Sequence, residues 1–172
     1  MNFTLYDASA PIFAASLKDM SAWLDKAGAE KPENALMEAR LAPDMRPLSA
    51  QFQMASDSAK NAMARLAGVD APVMADTEAS FTELKDRCLR TVAFVESIDR
   101  SALAGSEERA ISLTFPNGMG YAFTGGEYLT GFALPNFFFH VTTAYAILRA
   151  AGVTLGKPDF LQHLGPPNLT AA

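Results

Sequence analysis

Apolar side chains return at helical spacing in four stretches of the chain. Phe13, Leu17, Met20 and Leu24 follow one another at steps of four, three and four, the period that lays one apolar stripe along a helix. That helix is expected to end near Gly28, with a loop through Pro32, Pro43 and Pro47 after it. Leu48, Phe52, Ala55, Ala59, Ala62 and Leu66 repeat as 4-3-4-3-4, and Gly68 stands where a left-handed C-terminal stop belongs. The alanines of this stripe leave room for a neighbouring helix to approach closely. A third helix opens at Ser80-Phe-Thr-Glu83, a capping-box spacing that can satisfy two otherwise unpaired backbone N–H groups. Phe81, Leu84, Cys88, Val92 and Val95 line its inner face. The fourth spans about Pro135 to Ala151. Pro135 suits a first helical turn, whose N–H groups lack partners anyway, and Gly152 sits at the cap.

Between the third and fourth helices the period drops to two. Ile111, Leu113 and Phe115 alternate with Ser112 and Thr114, Pro116-Asn117-Gly118 supplies a turn, and Tyr121 and Phe123 alternate again. This predicts a β-hairpin over about residues 111–123. A two-stranded ribbon is marginal alone, so its apolar face is expected on the bundle or on a partner subunit. Gly125-Gly126 leads into a short helical turn around Glu127 to Ala133. Residues 153–172, rich in Gly and Pro, are expected as an extended tail pinned by Phe160 and Leu161. The pattern predicts an all-α fold: one domain over residues 1–172, a four-helix bundle of antiparallel or crossover topology with a small β-hairpin inserted before the last helix.

Composition narrows the chemistry. The chain has 172 residues, 49% of them hydrophobic, enough for one core without disulfides or a structural metal. A net charge of -5 offers no basic surface for nucleic-acid phosphates, so no nucleic-acid partner is expected. The single cysteine, Cys88, excludes an internal disulfide, and its place on an apolar stripe makes it a small core residue rather than a reactive thiol. Two histidines, His140 and His163, are too few for a three-histidine metal centre within one chain. The densest apolar segment, Phe132 to Val141, is too short to cross a membrane and contains Pro135, Asn136 and His140, so no membrane partner is expected. The first residues lack a cationic region followed by an apolar run, which with a free thiol points to a cytoplasmic setting. No nucleophile elbow, phosphate-binding glycine loop or His-Glu-x-x-His pair occurs.

Two segments carry a family resemblance. One is Leu134-Pro-Asn-Phe-Phe-Phe-His-Val-Thr-Thr-Ala-Tyr-Ala-Ile-Leu-Arg-Ala-Ala-Gly152, continued by Gly156-Lys-Pro-Asp-Phe-Leu161. The other is Pro47-Leu-Ser-Ala-Gln-Phe-Gln-Met-Ala-Ser-Asp-Ser-Ala-Lys60. Together they resemble a bacterial family of uncharacterised proteins in the DinB/YfiT-like superfamily, over nearly the whole chain. The resemblance implies a four-helix bundle, often dimeric. Many superfamily relatives hold a divalent metal through three histidines, and some are thiol-dependent transferases or hydrolases. Two of those histidines lie four apart on the last helix, upstream of a Leu-Arg-x-x-Gly ending. Counted back from Leu148-Arg149, the positions fall at Asn136 and His140. The third comes from the second helix, where this chain has Gln51, Gln53 and Asp57. The implied ligand set for zinc or nickel is therefore His140, Asn136 and Gln51, of which the two amides are poor ligands for such metals.

Helix geometry gives an independent view of these positions. At 100° per residue, Gln51 lies about 60° from the centre of the second helix's stripe, while Gln53 and Asp57 lie about 140° and about 180° away. Gln51 is thus expected at the core edge and Asp57 toward solvent or another subunit. Asn136 and His140 share one face of the fourth helix. Two readings of Gln51, Asn136 and His140 stand side by side. One is a polar pocket, with His140 as proton acceptor and the amides orienting a small-molecule ligand. The other is a buried histidine satisfied by a neighbouring amide. His163 reads as a surface or packing residue. Phe137 to Phe139 with Tyr145 cover more than one helix face, which suggests central packing plus a subunit contact and hence a homodimer. Glu127 and Tyr128 fit a pocket mouth or a solvated turn, and Glu83, Lys85, Asp86, Arg87 and Arg90 read as a charged outer face. Three functions follow: a DinB-like protein with a small-ligand pocket around His140, a divergent metal-dependent transferase or hydrolase, and a structural or stress-associated dimer without a site.

Overall fold

The stripes that repeat along the chain are the core. Phe13, Leu17, Met20 and Leu24 are sealed from solvent, as are all six residues from Leu48 to Leu66 on the second stripe and Leu84, Cys88 and Val95 on the third. The computed structural model describes residues 3–169; residues 1–2 of the expected domain and 170–172 of its tail lie outside the described residues. Helix α1 spans Ala10–Glu30, α2 Glu33–Met37, α3 Leu48–Ala67 and α4 Phe81–Ser97. Strands β1 (Ile111–Thr114) and β2 (Gly120–Phe123) follow, then a single turn α5 (Gly125–Glu127), a π-helical turn Tyr128–Ala133, α6 (Leu134–Ala150) and a short α7 (Lys157–Phe160). Helix α1 runs through Gly28 and stops at Glu30, because Lys31 precedes Pro32 and is driven into an extended conformation (φ -140°, ψ 151°). The expected loop between Pro32 and Pro47 contains α2.

Contacts between helices fix their directions. Lys18 meets Glu96 while Asp25 meets Lys85, so α1 and α4 are antiparallel. Phe13 packs on Phe137 and Trp23 on Tyr145, so α1 and α6 are parallel. His140 meets Gln51 while Tyr128 meets Arg65, so α3 and α6 are antiparallel. Helices α3 and α4 therefore point the same way, and the chain between them, residues 68–80, returns along the bundle. That crossover strand lies over the outer face of α3. Gln53 donates to Glu78 at 3.0 Å, Arg87 donates to the carbonyl of Ala75 at 3.0 Å, and Asp57 accepts from Arg87 at 2.8 Å.

One expectation is overturned here and another is refined. Asp57 stays partly exposed, but Arg87 and Lys60 both hold its carboxylate. Arg87 does not belong to the charged outer face of α4. It is fully buried beneath the crossover, paired with Asp57, Asp76 and Glu78. A period argument describes one helix and is blind to a connection draped over its far side.

The hairpin pairs Ile111 with Phe123 and Leu113 with Tyr121. Ile111 and Leu113 are buried, so the apolar face of β1 rests within this chain, while Tyr121 is 59% exposed. The α4 cap is half of the expected box. Ser80 accepts from the Glu83 N–H, but Glu83 turns its carboxylate to the N–H of Ala79. A reciprocal box forms instead at Thr124 and Glu127, where α5 begins. The helix expected to start at Pro135 is continuous from Gly125, with Pro135 inside it. Proline removes one N–H from the helical ladder, and the π turn just before it relieves that interruption. Gly68 (φ 72°) and Gly152 (φ 82°) cap α3 and α6 in the left-handed conformation, as their positions predict.

The expected extended tail is partly helical. Asp159 accepts from the N–H of Gly156 and so nucleates α7, and a 3-10 turn spans Gln162–Leu164. Trp23 anchors this segment, stacking on Phe160 and donating from Nε1 to the carbonyl of Asp159 at 3.0 Å. Among the described residues no helix is long and apolar enough to cross a membrane.

Candidate functional site

The seam between α3 and α6 carries polar groups hydrogen-bonded across it. Gln51, on the first turn of α3, is 2% exposed. Its amide nitrogen donates to the carbonyl of Arg46 at 3.1 Å, which leaves Oε1 facing His140 Nδ1 at 2.8 Å. An amide oxygen only accepts, so Nδ1 carries the imidazole proton and Nε2 carries the lone pair. His140 is itself buried, and desolvation holds its pKa below the usual 6.5. The ring is therefore neutral near neutral pH. No protein group among the described residues bonds to Nε2, and Nε2 is not one of the sealed polar atoms left without a partner. Nε2 is thus not sealed, and His140 lines a cleft.

That cleft has a volume of about 400 Å³ and lies between α3, β1 and the π turn with α6. Helix α3 contributes Met54, Asp57, Ser58, Asn61 and Arg65, which share one face at steps of three, one, three and four. The hairpin contributes Ser112 to Phe115, and the last helix with its π turn contributes Tyr128, Phe132, Ala133, Asn136 and His140. Asn136 donates to the Ser58 hydroxyl at 2.7 Å, and Ser58 donates in turn to the carbonyl of Met54 at 2.7 Å. At the far end Arg65 donates to the Tyr128 hydroxyl at 3.1 Å and lies over its ring. Tyr128 is 1% exposed, and burial raises its pKa, so the phenol keeps its proton.

The residues singled out from the sequence are thus divided between two tasks. His140 and Asn136 line the cleft. Gln51 does not; it sits behind His140 and orients the ring rather than a ligand. Tyr128 lines the cleft wall, whereas Glu127 is spent on the Thr124 cap. The face of Met54, Ser58, Asn61 and Arg65 escaped the sequence reading. Its signal was present, as four non-core residues at helical spacing, but the same spacing describes any solvated face. His163, read as a surface or packing residue, sets Nδ1 2.6 Å from the buried carboxylate of Asp19 and ties the tail to α1. Cys88 is sealed in the core, and burial pushes its thiol up to about 12, far from a reactive thiolate.

Residues 5–161 match a family described as "Domain of unknown function (DUF1993)". This chain belongs to the DUF1993 family. The crystal structure of a DinB family member protein from Shewanella denitrificans is similar to the DUF1993 protein over 98% of this chain and 96% of that one, at 35% identity and a TM-score of 0.85. The DinB-like bundle is thus its fold. No curated protein matches it.

The resemblance to metal-binding DinB relatives can be tested on the DUF1993 side chains themselves. The positions offer one imidazole and two amides. Gln51 Oε1 is occupied by His140 Nδ1, and Asn136 turns its nitrogen to Ser58. Among the described residues no group of three or more His, Cys, Asp or Glu side chains is placed to hold a metal ion. Zinc and nickel favour imidazole and thiolate, and this donor set does not fit either ion.

Proposed function

We propose that this DUF1993 protein binds a small molecule in the cleft between α3, β1 and α6, with His140 Nε2 as the acceptor that fixes the ligand. One observation carries the reading. Gln51 locks the imidazole in the tautomer whose free nitrogen is not sealed, and the ring lines the cleft, so it presents an acceptor there rather than a self-satisfied core group. The walls support it: apolar surface from Leu113 and Phe132 with a few polar groups between is the usual make-up of a ligand pocket. The π turn supports it as well, since such turns gather at functional sites and this one supplies Tyr128, Phe132 and Ala133.

A fragment screen followed by amide NMR shifts tests the proposal. Hits are expected to perturb residues of α3, β1 and α6 and to weaken tenfold or more in His140→Phe. Hits that cluster elsewhere, or that ignore the substitution, would overturn it. We further infer a homodimer, because Phe139 of α6 is 56% exposed and the hairpin next to the cleft carries exposed Phe115, Met119 and Tyr121. Light scattering at micromolar concentration should give twice the chain mass; a monomer would dismiss the dimer and leave the cleft untouched.

A further inference from the structure

Charge within the cleft is uneven. Asp57 is the one carboxylate among its described lining residues, and two cations already hold it, Arg87 at 2.8 Å and Lys60 at 3.0 Å. Arg65 is the one cation of the lining, and no carboxylate lies within salt-bridge reach of it among the described residues. On a chain of net charge -5, the cleft therefore keeps one uncompensated positive charge, at its Tyr128 end. The opposite end offers an acceptor, His140 Nε2, and no unpaired charge.

We propose that the ligand of this cleft is an elongated monocarboxylate whose far end carries a hydroxyl or amide N–H. This rests on the cleft being a ligand site, as argued above. Arg65 uses Nη1 on the Tyr128 hydroxyl, which leaves the rest of its planar fork for one carboxylate. Tyr128 accepts that bond and keeps its own proton to donate to the same carboxylate. One guanidinium balances a monoanion; a phosphate dianion would leave a charge unmatched in a partly desolvated cleft. The two ends are well separated. From Ser58, beside Asn136, to Arg65 is seven residues of α3, about 10 Å, and His140 lies a further turn beyond Asn136. Leu113, Phe132 and Ala133 give the surface between an apolar wall, set beside the polar groups of Ser58, Asn61 and Asn136. A chain of methylenes or a flat apolar body fits that middle, and a terminal donor meets the histidine.

Four ten-carbon probes test the assignment by calorimetry: 10-hydroxydecanoate, decanoate, 1,10-decanediol and decyl phosphate. The hydroxy acid is expected to bind at least tenfold tighter than the diol. Arg65→Gln, at an exposed position, should abolish that difference, and Tyr128→Phe should reduce it. His140→Phe should abolish the advantage of the hydroxy acid over decanoate. If the diol matches the hydroxy acid, or Arg65→Gln leaves their ratio intact, the anion site falls while a cleft ligand stands. Tenfold tighter binding of decyl phosphate overturns the carboxylate in favour of a phosphate. Failure of all four to bind overturns the proposal, and the fragment screen then decides separately whether the cleft binds anything.

Discussion

A glutamine whose amide nitrogen is tied to a backbone carbonyl has only its oxygen to offer, and this is how Gln51 determines the state of His140. Gln51→Leu keeps the volume but deletes the acceptor, leaving the buried Nδ1–H without a partner. Such a loss costs about 1–3 kcal/mol, and the imidazole should shift toward the other tautomer. Denaturant melts and ring nitrogen shifts would register the two effects separately. The same burial makes His140 a source of pH dependence. Its folded pKa is lowered by desolvation, so between that value and the usual 6.5 the unfolded chain binds more protons than the folded one. The contribution of His140 is therefore complete above 6.5 and lost as pH falls through the folded pKa. His140→Phe should flatten the fall of stability in this window, measured as melting temperature against pH. Of the candidate site, the pairing of an amide with His140 was legible in the sequence because both positions lie on faces that helical period turns inward. Asn136 shares that face, yet it bonds Ser58 and not Gln51, a choice that depends on how far each side chain reaches across the seam.

At the scale of elements, the long connection from α3 to α4 has the largest consequences. Because α3 and α4 run in the same direction, residues 68–80 must travel the length of the bundle, and they bring Asp76 and Glu78 onto Arg87. Removing the arginine leaves the nearly sealed Glu78 carboxylate without its cation, while Asp57 and Asp76 stay partly in water, which costs about 3 kcal/mol. Arg87→Met should lower stability by that amount in a urea melt, whereas Arg90→Met, on the exposed side of the same helix, should change it by less than about 0.5 kcal/mol. Helical period sets Arg87 about 100° and Arg90 about 160° from the centre of the α4 stripe, and neither angle reveals that a connection covers the first. The π turn is a second decision made between elements. Seven residues separate Ser58 from Arg65 on α3, while eight separate Tyr128 from Asn136 on the facing helix. An i→i+5 turn takes up the extra residue, so both pairs meet. A proline seen in isolation reads as a helix start; only the facing helix reveals that the helix had begun earlier.

For the whole molecule, the tail closes the end of α1. The single tryptophan, Trp23, is 1% exposed and is covered by Tyr145 and Phe160. Phe160→Ala should red-shift its fluorescence and cost about 2 kcal/mol, below the range for a fully buried aromatic because Phe160 is only half-buried. An unshifted emission would mean that the tail does not cover Trp23. The sequence by itself determined the four helices, the hairpin and the core stripes of the first three helices, because each depends on the periodicity of its own segment and on the left-handed caps at Gly68 and Gly152. The tertiary structure alone decided which polar face became a cleft, which arginine was buried and where the tail folded back. Those outcomes depend on what another segment lays across a given face, and a segment's own spacing carries no record of its neighbours.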